Sequence, residues 1–455
     1  MKKRDILEVY VQEMEFGGTG YTDIDNIRLS YKNGIKGQKV KVLVKKVRKN
    51  KAEGKILSVI EPSPMETSEI CPHYGRCGGC SMLSVPYESQ IQLKKEQLIN
   101  LFQNSGHTEI DDIEVKQSPS PYEYKNKMEF TFGDEEKGGP LALGMHMKGS
   151  PMGIIHVHSC MIVDSDYRKI LNFTVDFFQN EKLPHYNILS HAGYLRHLVL
   201  RKGKNTNEIL VNLVTTSQID YDLTKYAEGL SNISLDGSIS GILHTLNDSL
   251  SDAVIPEEVR VVQGNPYFYD ELLGKKFKIS PFSFFQTNTH GAEVLYQTVK
   301  DMIGQKKSIL FDLYSGTGTI GITLSDKADT VIGVEIIEEA VDMANENVKS
   351  NNATNCRFIA GDVAKVVSDI TENPELIILD PPRAGIHPKG MSDILSFNAK
   401  EIIYISCNPK ALMLDLKTLK NAGYEMTEAK GVDLFPNTPH VEAIILMTRS
   451  GSSDK

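Results

Sequence analysis

The second half of the chain alternates short, wholly apolar runs with helix-like stretches, and few folds accept that pattern. After residue 284 the runs SILFDLY, TVIGVEI, CRFIAGD, LIILD and EIIYIS are separated by segments such as IIEEAVDMANENVKSN, and GYEMTEAKGVDLF and HVEAIILMT close the series. A strand that is apolar on both faces must be covered on both faces. Strands alternating with helices therefore predict a parallel α/β sheet between two helical layers. Ligands of such sheets bind at the carboxyl ends of the strands, so the residue that ends each apolar run is a functional candidate.

Read that way, the strand ends are unusually polar. FDLYSGTGTIG (311–321) leaves its strand through Gly316, Gly318 and Gly321, a G-x-G-x-x-G turn that lets the backbone approach a ligand closely. Glu335 ends the next strand, where a carboxylate can accept both hydroxyls of a ribose. These two features fit a dinucleotide or S-adenosyl-L-methionine equally. Asp362 ends the third strand, suitably for an adenine, and Asp380-Pro381-Pro382-Arg383 ends the fourth. Two prolines cannot continue a central strand, so they fix a rigid loop at the ligand edge. An acid followed by Pro-Pro at that place resembles nucleic-acid and amine methyltransferases and favours S-adenosyl-L-methionine.

The fifth strand ends in ISCNP, which puts Cys407 on the same edge. A buried free cysteine is often plain core. A thiol beside a methyl donor has a further use: adding to C6 of a pyrimidine makes C5 nucleophilic, and a base must then remove the C5 proton. Glu442, entering the last apolar strand in FPNTPHVEAIILM, is the candidate base, and His440 is read as structural. ISPFSFFQTN, DLYSGTG, DPPRAG, ISCNP and PHVE, in this order, resemble the RNA uracil-5-methyltransferase family. The resemblance implies a Rossmann-like class I methyltransferase domain. It implies Cys407 as nucleophile, Glu442 as base, and Gln286, Tyr314, Glu335, Asp362 and Asp380 around S-adenosyl-L-methionine. Some relatives carry Asn where this chain has Thr319, which is left out of that set.

The first half reads differently. Residues 1–60 alternate apolar and polar in short pieces punctuated by glycine, the pattern of a small OB-like β-barrel. Residues 61–283 form a β-rich central region, and 86–117 predicts a helix that packs on the catalytic domain, 284–455. CPHYGRCGGC places Cys71, Cys77 and Cys80 in one glycine-rich loop, with Cys160 downstream in VHSCMIVD. Four thiolates can hold zinc or an iron–sulfur cluster. Spacing does not separate the metals, and His73 and His158 offer a mixed zinc site. Cys356 reads as strand core.

The family resemblance implies a [4Fe-4S] cluster on these four cysteines, structural and remote from methyl transfer. It implies a TRAM-type RNA-binding barrel at the N-terminus. Barrel and cluster together favour 23S ribosomal RNA as substrate over transfer RNA, whose branch usually lacks both. Lys125, Lys127 and Arg196 are expected on the RNA backbone.

Composition limits the alternatives. Formal net charge is −9, against unspecific polyanion binding, yet residues 32–55 hold ten Lys/Arg and a single acid, Glu53. That is a directed basic face. The start of the chain lacks the apolar core of a signal peptide, and no run of apolar residues is long enough to span a membrane. A cytoplasmic monomer is expected. Rival readings are an RNA cytosine-5-methyltransferase, which typically has Pro-Cys after the fourth strand, and a radical enzyme, which typically has C-x3-C-x2-C. The third is a non-catalytic ribosome-assembly factor, which would not need the Cys407/Glu442 pair.

Overall fold

The apolar runs build one eight-stranded sheet in the computed structural model, which describes residues 1–67, 71–108, 110–150, 152–366 and 370–449. Its order is Cys356–Ala360, Ala328–Glu335, Lys307–Leu313, Leu376–Leu379, Glu401–Ser406, Glu442–Arg449, Tyr424–Val432 and Glu114–Lys116. The first five strands are parallel. Glu442–Arg449 then runs antiparallel between Glu401–Ser406 and Tyr424–Val432. That reversed strand departs from the all-parallel dinucleotide arrangement.

Alternate side chains feed two cores. Ile378, Ile403 and Ile405 face one helical layer, and Ile377, Leu379, Ile402 and Tyr404 face the other. Each such fully buried side chain contributes roughly 1.5–3 kcal/mol of burial free energy.

The expected helix over 86–117 is shorter. It spans Tyr87–Asn104 and stops ahead of Gly106, whose φ of 93° is left-handed and ends a helix cheaply. The chain then returns as the strand Glu114–Lys116, parallel to Tyr424–Val432 on the sheet edge. Leu98, Phe102, Ile113 and Val115 pack into the catalytic core. Lys94 Nζ, fully buried, meets Asp433 Oδ1 at 2.6 Å. By packing, residues 87–116 are part of the catalytic layer.

The N-terminal residues form a curled six-stranded sheet around Val9, Leu29, Tyr31, Val40, Val42 and Val44, matching the expected OB-like barrel. Its last strand, Lys51–Glu61, ends one residue beyond the expected boundary. The basic face is partly neutralised: Lys36 pairs with Glu13, Lys39 with Glu61 and Lys46 with Glu53. The central region holds a seven-stranded, mainly antiparallel sheet with the helices Ser165–Asn180 and Thr224–Ser231 packed on it. Among the described residues no helix is long and apolar enough to cross a membrane.

Candidate active site

One cleft of about 1720 Å³ runs along the carboxyl edge of the eight-stranded sheet. Gln286, Tyr314, Glu335, Asp380, Cys407 and Glu442 all line it. Asp362 is not among its lining residues. It lies exposed beyond the third strand, close enough to help raise the Tyr314 phenol, which burial first of all pushes up to about 12.

The glycine turn is shaped for a ligand. Tyr314, Gly316 and Gly318 all have positive φ. A Cβ on Gly318 would come within 2.7 Å of the Phe358 ring, so only glycine fits there. The Glu335 carboxylate accepts from Gly316 N at 3.0 Å and Ile337 N at 3.1 Å, which aims it along the cleft floor. Beside it Ile336 remains 67% exposed, and Phe284, two residues before Gln286, 66% exposed. Large apolar side chains left bare in a cleft suit flat aromatic ligands. Gln286 is held from the central region: its carbonyl accepts from Asn126 Nδ2 at 2.8 Å. The carboxylate at the ribose position, the close-approach glycines and the bare apolar wall fit S-adenosyl-L-methionine.

Strand register explains why Cys407 and Glu442 meet. Ser406 pairs with Ala443 across antiparallel strands, so the residues one step beyond, Cys407 and Glu442, leave the sheet side by side. Burial pushes the Cys407 thiol up to about 11, and the charges of Glu442 and Asp380 add to this. Burial likewise pushes Glu442 up to about 8, with Asp380 adding, and Asp380 itself up to about 7. Asp312, at the base of the glycine turn, is buried and raised to about 7 while one oxygen accepts from Gly321 N at 2.8 Å. The edge therefore holds protons that a cation entering the cleft would release.

Arg383 opposes these shifts. Its charge lowers both Cys407 and Glu442. Its carbonyl accepts from Asn408 Nδ2 at 2.9 Å and its Nη2 donates to His440 Nδ1 at 3.4 Å. Burial, then Arg383, Lys94 and Lys125, hold His440 below the usual imidazole range. Sequence reading passed over Arg383, Ile336 and Phe284. The signal for Arg383 was its place directly after Pro-Pro, and for Ile336 an apolar residue directly after a strand-ending carboxylate.

The three cations expected on RNA separate. Lys125 lines the cleft, with Nζ 3.3 Å from Thr287 Oγ1. Lys127 pairs with Glu129 at 2.9 Å and does not line the cleft. Arg196 is buried and donates to the carbonyls of Asn247, Ser249 and Ser251, so it organises a loop and is closed to RNA. Lys32 of the barrel and Lys148 of the central region join Lys125 around the cleft.

Cys71, Cys77, Cys80 and Cys160 line one small cavity with Met128, Val157 and Ile162. Burial first, then the neighbouring thiols, push Cys80 up to about 12 and Cys160 to about 11. Four thiols crowding one apolar cavity are a donor set that a cationic centre would ionise. Even so, no group of three or more His, Cys, Asp or Glu side chains among the described residues converges to metal-holding distance. The His73 and His158 rings are engaged by Ser159, whose N–H donates to His73 Nε2 at 3.3 Å and whose hydroxyl lies 2.5 Å from His158 Nδ1. The cysteine loop also borders the large cleft, through Cys77, Gly78, Gly79 and Cys80. Cys356 is buried in the catalytic core.

Known proteins resemble the whole chain. Residues 86–450 match the model of the tRNA (uracil-5-)-methyltransferase family. An uncharacterized RNA methyltransferase of Clostridium tetani is 49% identical over 450 residues, covering 99% of each chain. One of Clostridium acetobutylicum is 47% identical, again covering 99% of each. The crystal structure of the Pyrococcus abyssi tRNA (uracil-54, C5)-methyltransferase with S-adenosyl-L-homocysteine superposes with a TM-score of 0.78. It is 26% identical, and the match covers 97% of this chain and 100% of that one. The chain therefore belongs to the RNA uracil-5-methyltransferase family, whose members are S-adenosyl-L-methionine-dependent methyltransferases.

Proposed function

We propose that this enzyme methylates C5 of a uridine in 23S ribosomal RNA, with Cys407 as nucleophile and Glu442 as base. The adjacency of thiol and carboxylate at two neighbouring strand ends, inside a cleft fit for the cofactor, carries the chemistry; the choice of 23S RNA rests on the barrel and the cysteine loop occurring together. The Cys407 thiolate adds to C6, and the electron pair of the C5–C6 double bond becomes available at C5. S-adenosyl-L-methionine supplies an electrophilic methyl group on a positively charged sulfur, whose charge in the cleft also favours ionised Cys407, Asp380 and Glu442. Once C5 carries both hydrogen and methyl, Glu442 takes the hydrogen as a proton. The double bond re-forms and the thiolate leaves C6. Gln286, Tyr314, Glu335 and Asp380 hold the cofactor, and Asp362, just outside the lined cleft, is left to its adenine end. Arg383 favours the ionised thiol and carboxylate.

The target base must leave its stack to reach Cys407, so an unpaired loop is the expected site. Lys32, Lys125 and Lys148 meet phosphates, and residues 1–60 act as the RNA-binding barrel. Residues 61–283 form the central domain and 284–455 the catalytic domain, to which 87–116 is added by packing. Cys71, Cys77, Cys80 and Cys160 would hold the [4Fe-4S] cluster, which ties the loop to the central sheet and takes no part in the reaction.

A transfer RNA substrate is the second reading. The archaeal tRNA enzyme superposes over nearly the full length of this chain, barrel and central region included, so architecture alone does not separate the two RNAs. Methyl transfer to 23S RNA and to bulk tRNA, each transcribed without modification, tests the choice. Digestion to nucleosides should give 5-methyluridine from 23S RNA alone. 5-Methyluridine from tRNA alone overturns the ribosomal assignment, and 5-methylcytidine overturns the base.

A further inference from the structure

The stretch from Asp433 to His440 carries Glu442 into the cleft, and much of what holds it comes from the first third of the chain. Lys94 Nζ donates to Asp433 Oδ1 at 2.6 Å and to the Phe435 carbonyl at 3.3 Å. Tyr124 donates to the Pro436 carbonyl at 3.0 Å. Ser81 N and Met82 N, just past the cysteine loop, donate to the Asn437 carbonyl. Gln90 exchanges two hydrogen bonds with Asn437, at 2.9 and 3.0 Å. Asn437 itself is buried with a φ of 64°.

A further contact comes from the barrel. The Gly17-Gly18 turn leads into the strand Thr19–Ile24, and a Cβ built on Gly18 would lie 3.0 Å from Pro439 Cγ and 3.3 Å from its Cβ. The turn cannot back away. Phe16 is buried in the catalytic core, Gln97 donates to the Met14 carbonyl, and Met14 and Ile35 pack with Met82, Val85 and Leu93. Gly17, with a similar positive φ, has nothing within 4 Å of its Cβ position. Gly18 is therefore a defined point at which the barrel meets the base-bearing stretch.

We propose that the N-terminal barrel is a positioning part of the active site: Gly18, seated against Pro439, sets where Glu442 stands for proton removal. The proposal rests on the reading of Glu442 as base. Cys407 sits on the neighbouring strand, so a shift of Pro439 bears first on Glu442 and on the last step. The Sγ–C6 bond breaks only when the C5 proton has gone to Glu442. A displaced base therefore leaves the methylated RNA covalently attached.

The experiment compares Gly18→Ala and Gly17→Ala in the full metal-loaded chain, with S-adenosyl-L-methionine and ordinary, unfluorinated substrate RNA, on a denaturing gel. Both substitutions carry the same left-handed backbone cost, but only Gly18→Ala meets Pro439. Gly18→Ala should lower kcat by about ten- to a hundredfold, leave RNA affinity unchanged, and accumulate a protein–RNA band. Gly17→Ala should give no band. Pro439→Gly, which removes the ring from the other side of the contact, should reproduce the band even where Gly18→Ala folds poorly. Loss of RNA affinity without a band in Gly18→Ala and Pro439→Gly, or equal behaviour of the two glycine variants, would overturn the proposal. Glu442→Gln serves as reference: absence of a band there removes the base reading itself, separately from the role of Gly18.

Discussion

The carboxyl edge of the catalytic sheet and the cysteine loop of the central region both bury thiols and raise them, yet they prepare opposite chemistry. Cys407 looks into a wide cleft and shares it with Glu442, Asp380 and the guanidinium of Arg383. Cys80 borders that cleft too, but with Cys160 it also lines a small apolar cavity that holds Cys71 and Cys77. Mixed charge in an open cleft lets an electron pair and a proton move toward a substrate. Thiols gathered in one apolar cavity suit a cation that stays, the role proposed for them. Burial alone does not assign a cysteine; what shares its cavity does.

The largest expected effect breaks that comparison if it fails. Cys407→Ala should cut methyl transfer by at least about 10⁴-fold while leaving RNA binding intact, measured by cofactor-derived label and by filter binding. Cys80→Ser should do the reverse, with iron content per chain and melting temperature falling while any folded fraction retains the chemistry. Equal loss of chemistry in both variants, at full folding, would erase the distinction.

Next comes the buried pair that anchors the catalytic edge. Removing one partner leaves the other charge buried and unpaired, so Lys94→Ala should destabilise the fold by about 3–5 kcal/mol in urea unfolding. Burial already holds Lys94 below and Asp433 above their ordinary values. Lys94→Met combined with Asp433→Asn should therefore recover much of the loss.

A smaller effect separates the edge by pH. Burial raises Glu442 above its unfolded value, to about 8, so the native state binds the extra proton. The carboxylate's destabilising effect is absent below the ordinary carboxylate range and grows as pH rises toward 8. Glu442→Gln should be more stable than the parent at pH 8, by about 1–3 kcal/mol, and indistinguishable at pH 4. For the parent, kcat should rise with pH through about 8 as the base form appears, because Glu442 acts after methyl transfer. A flat profile would remove Glu442 from the rate equation. The smallest effect lies far from both thiols. Lys45, exposed on the barrel, should on changing to Ala weaken RNA binding slightly and lower the salt slope by about 1.

What the sequence made legible follows from distance along the chain. Apolar runs and the residues that end them are local, so the sheet and its candidate edge, Glu335, Asp380 and Cys407, could be read directly. Glu442 was a candidate base from its place at the head of an apolar strand, but its pairing with Cys407 was not legible, because nothing local joins a strand-entering carboxylate to a cysteine on another strand. The docking of Tyr87–Asn104 and its Lys94–Asp433 pair join residues 339 apart, which no periodicity signals. Arg196 shows the converse: a basic residue in YLRHLVLR reads as a surface contact, yet it is sealed behind the carbonyls of residues 247–251. The strand Glu114–Lys116 was lost inside a helical expectation because three residues carry too little pattern to be seen.

The most direct measurement is covalent trapping. Enzyme, S-adenosyl-L-methionine and 23S RNA transcribed with 5-fluorouridine are incubated and run on a denaturing gel, because fluorine at C5 cannot leave as a proton. A Cys407 thiol adduct predicts a shifted band that is absent in Cys407→Ala and maps by peptide mass to residues around ISCNP. A band of equal strength in Cys407→Ala, or none from protein that binds the cofactor and methylates ordinary RNA, would contradict it.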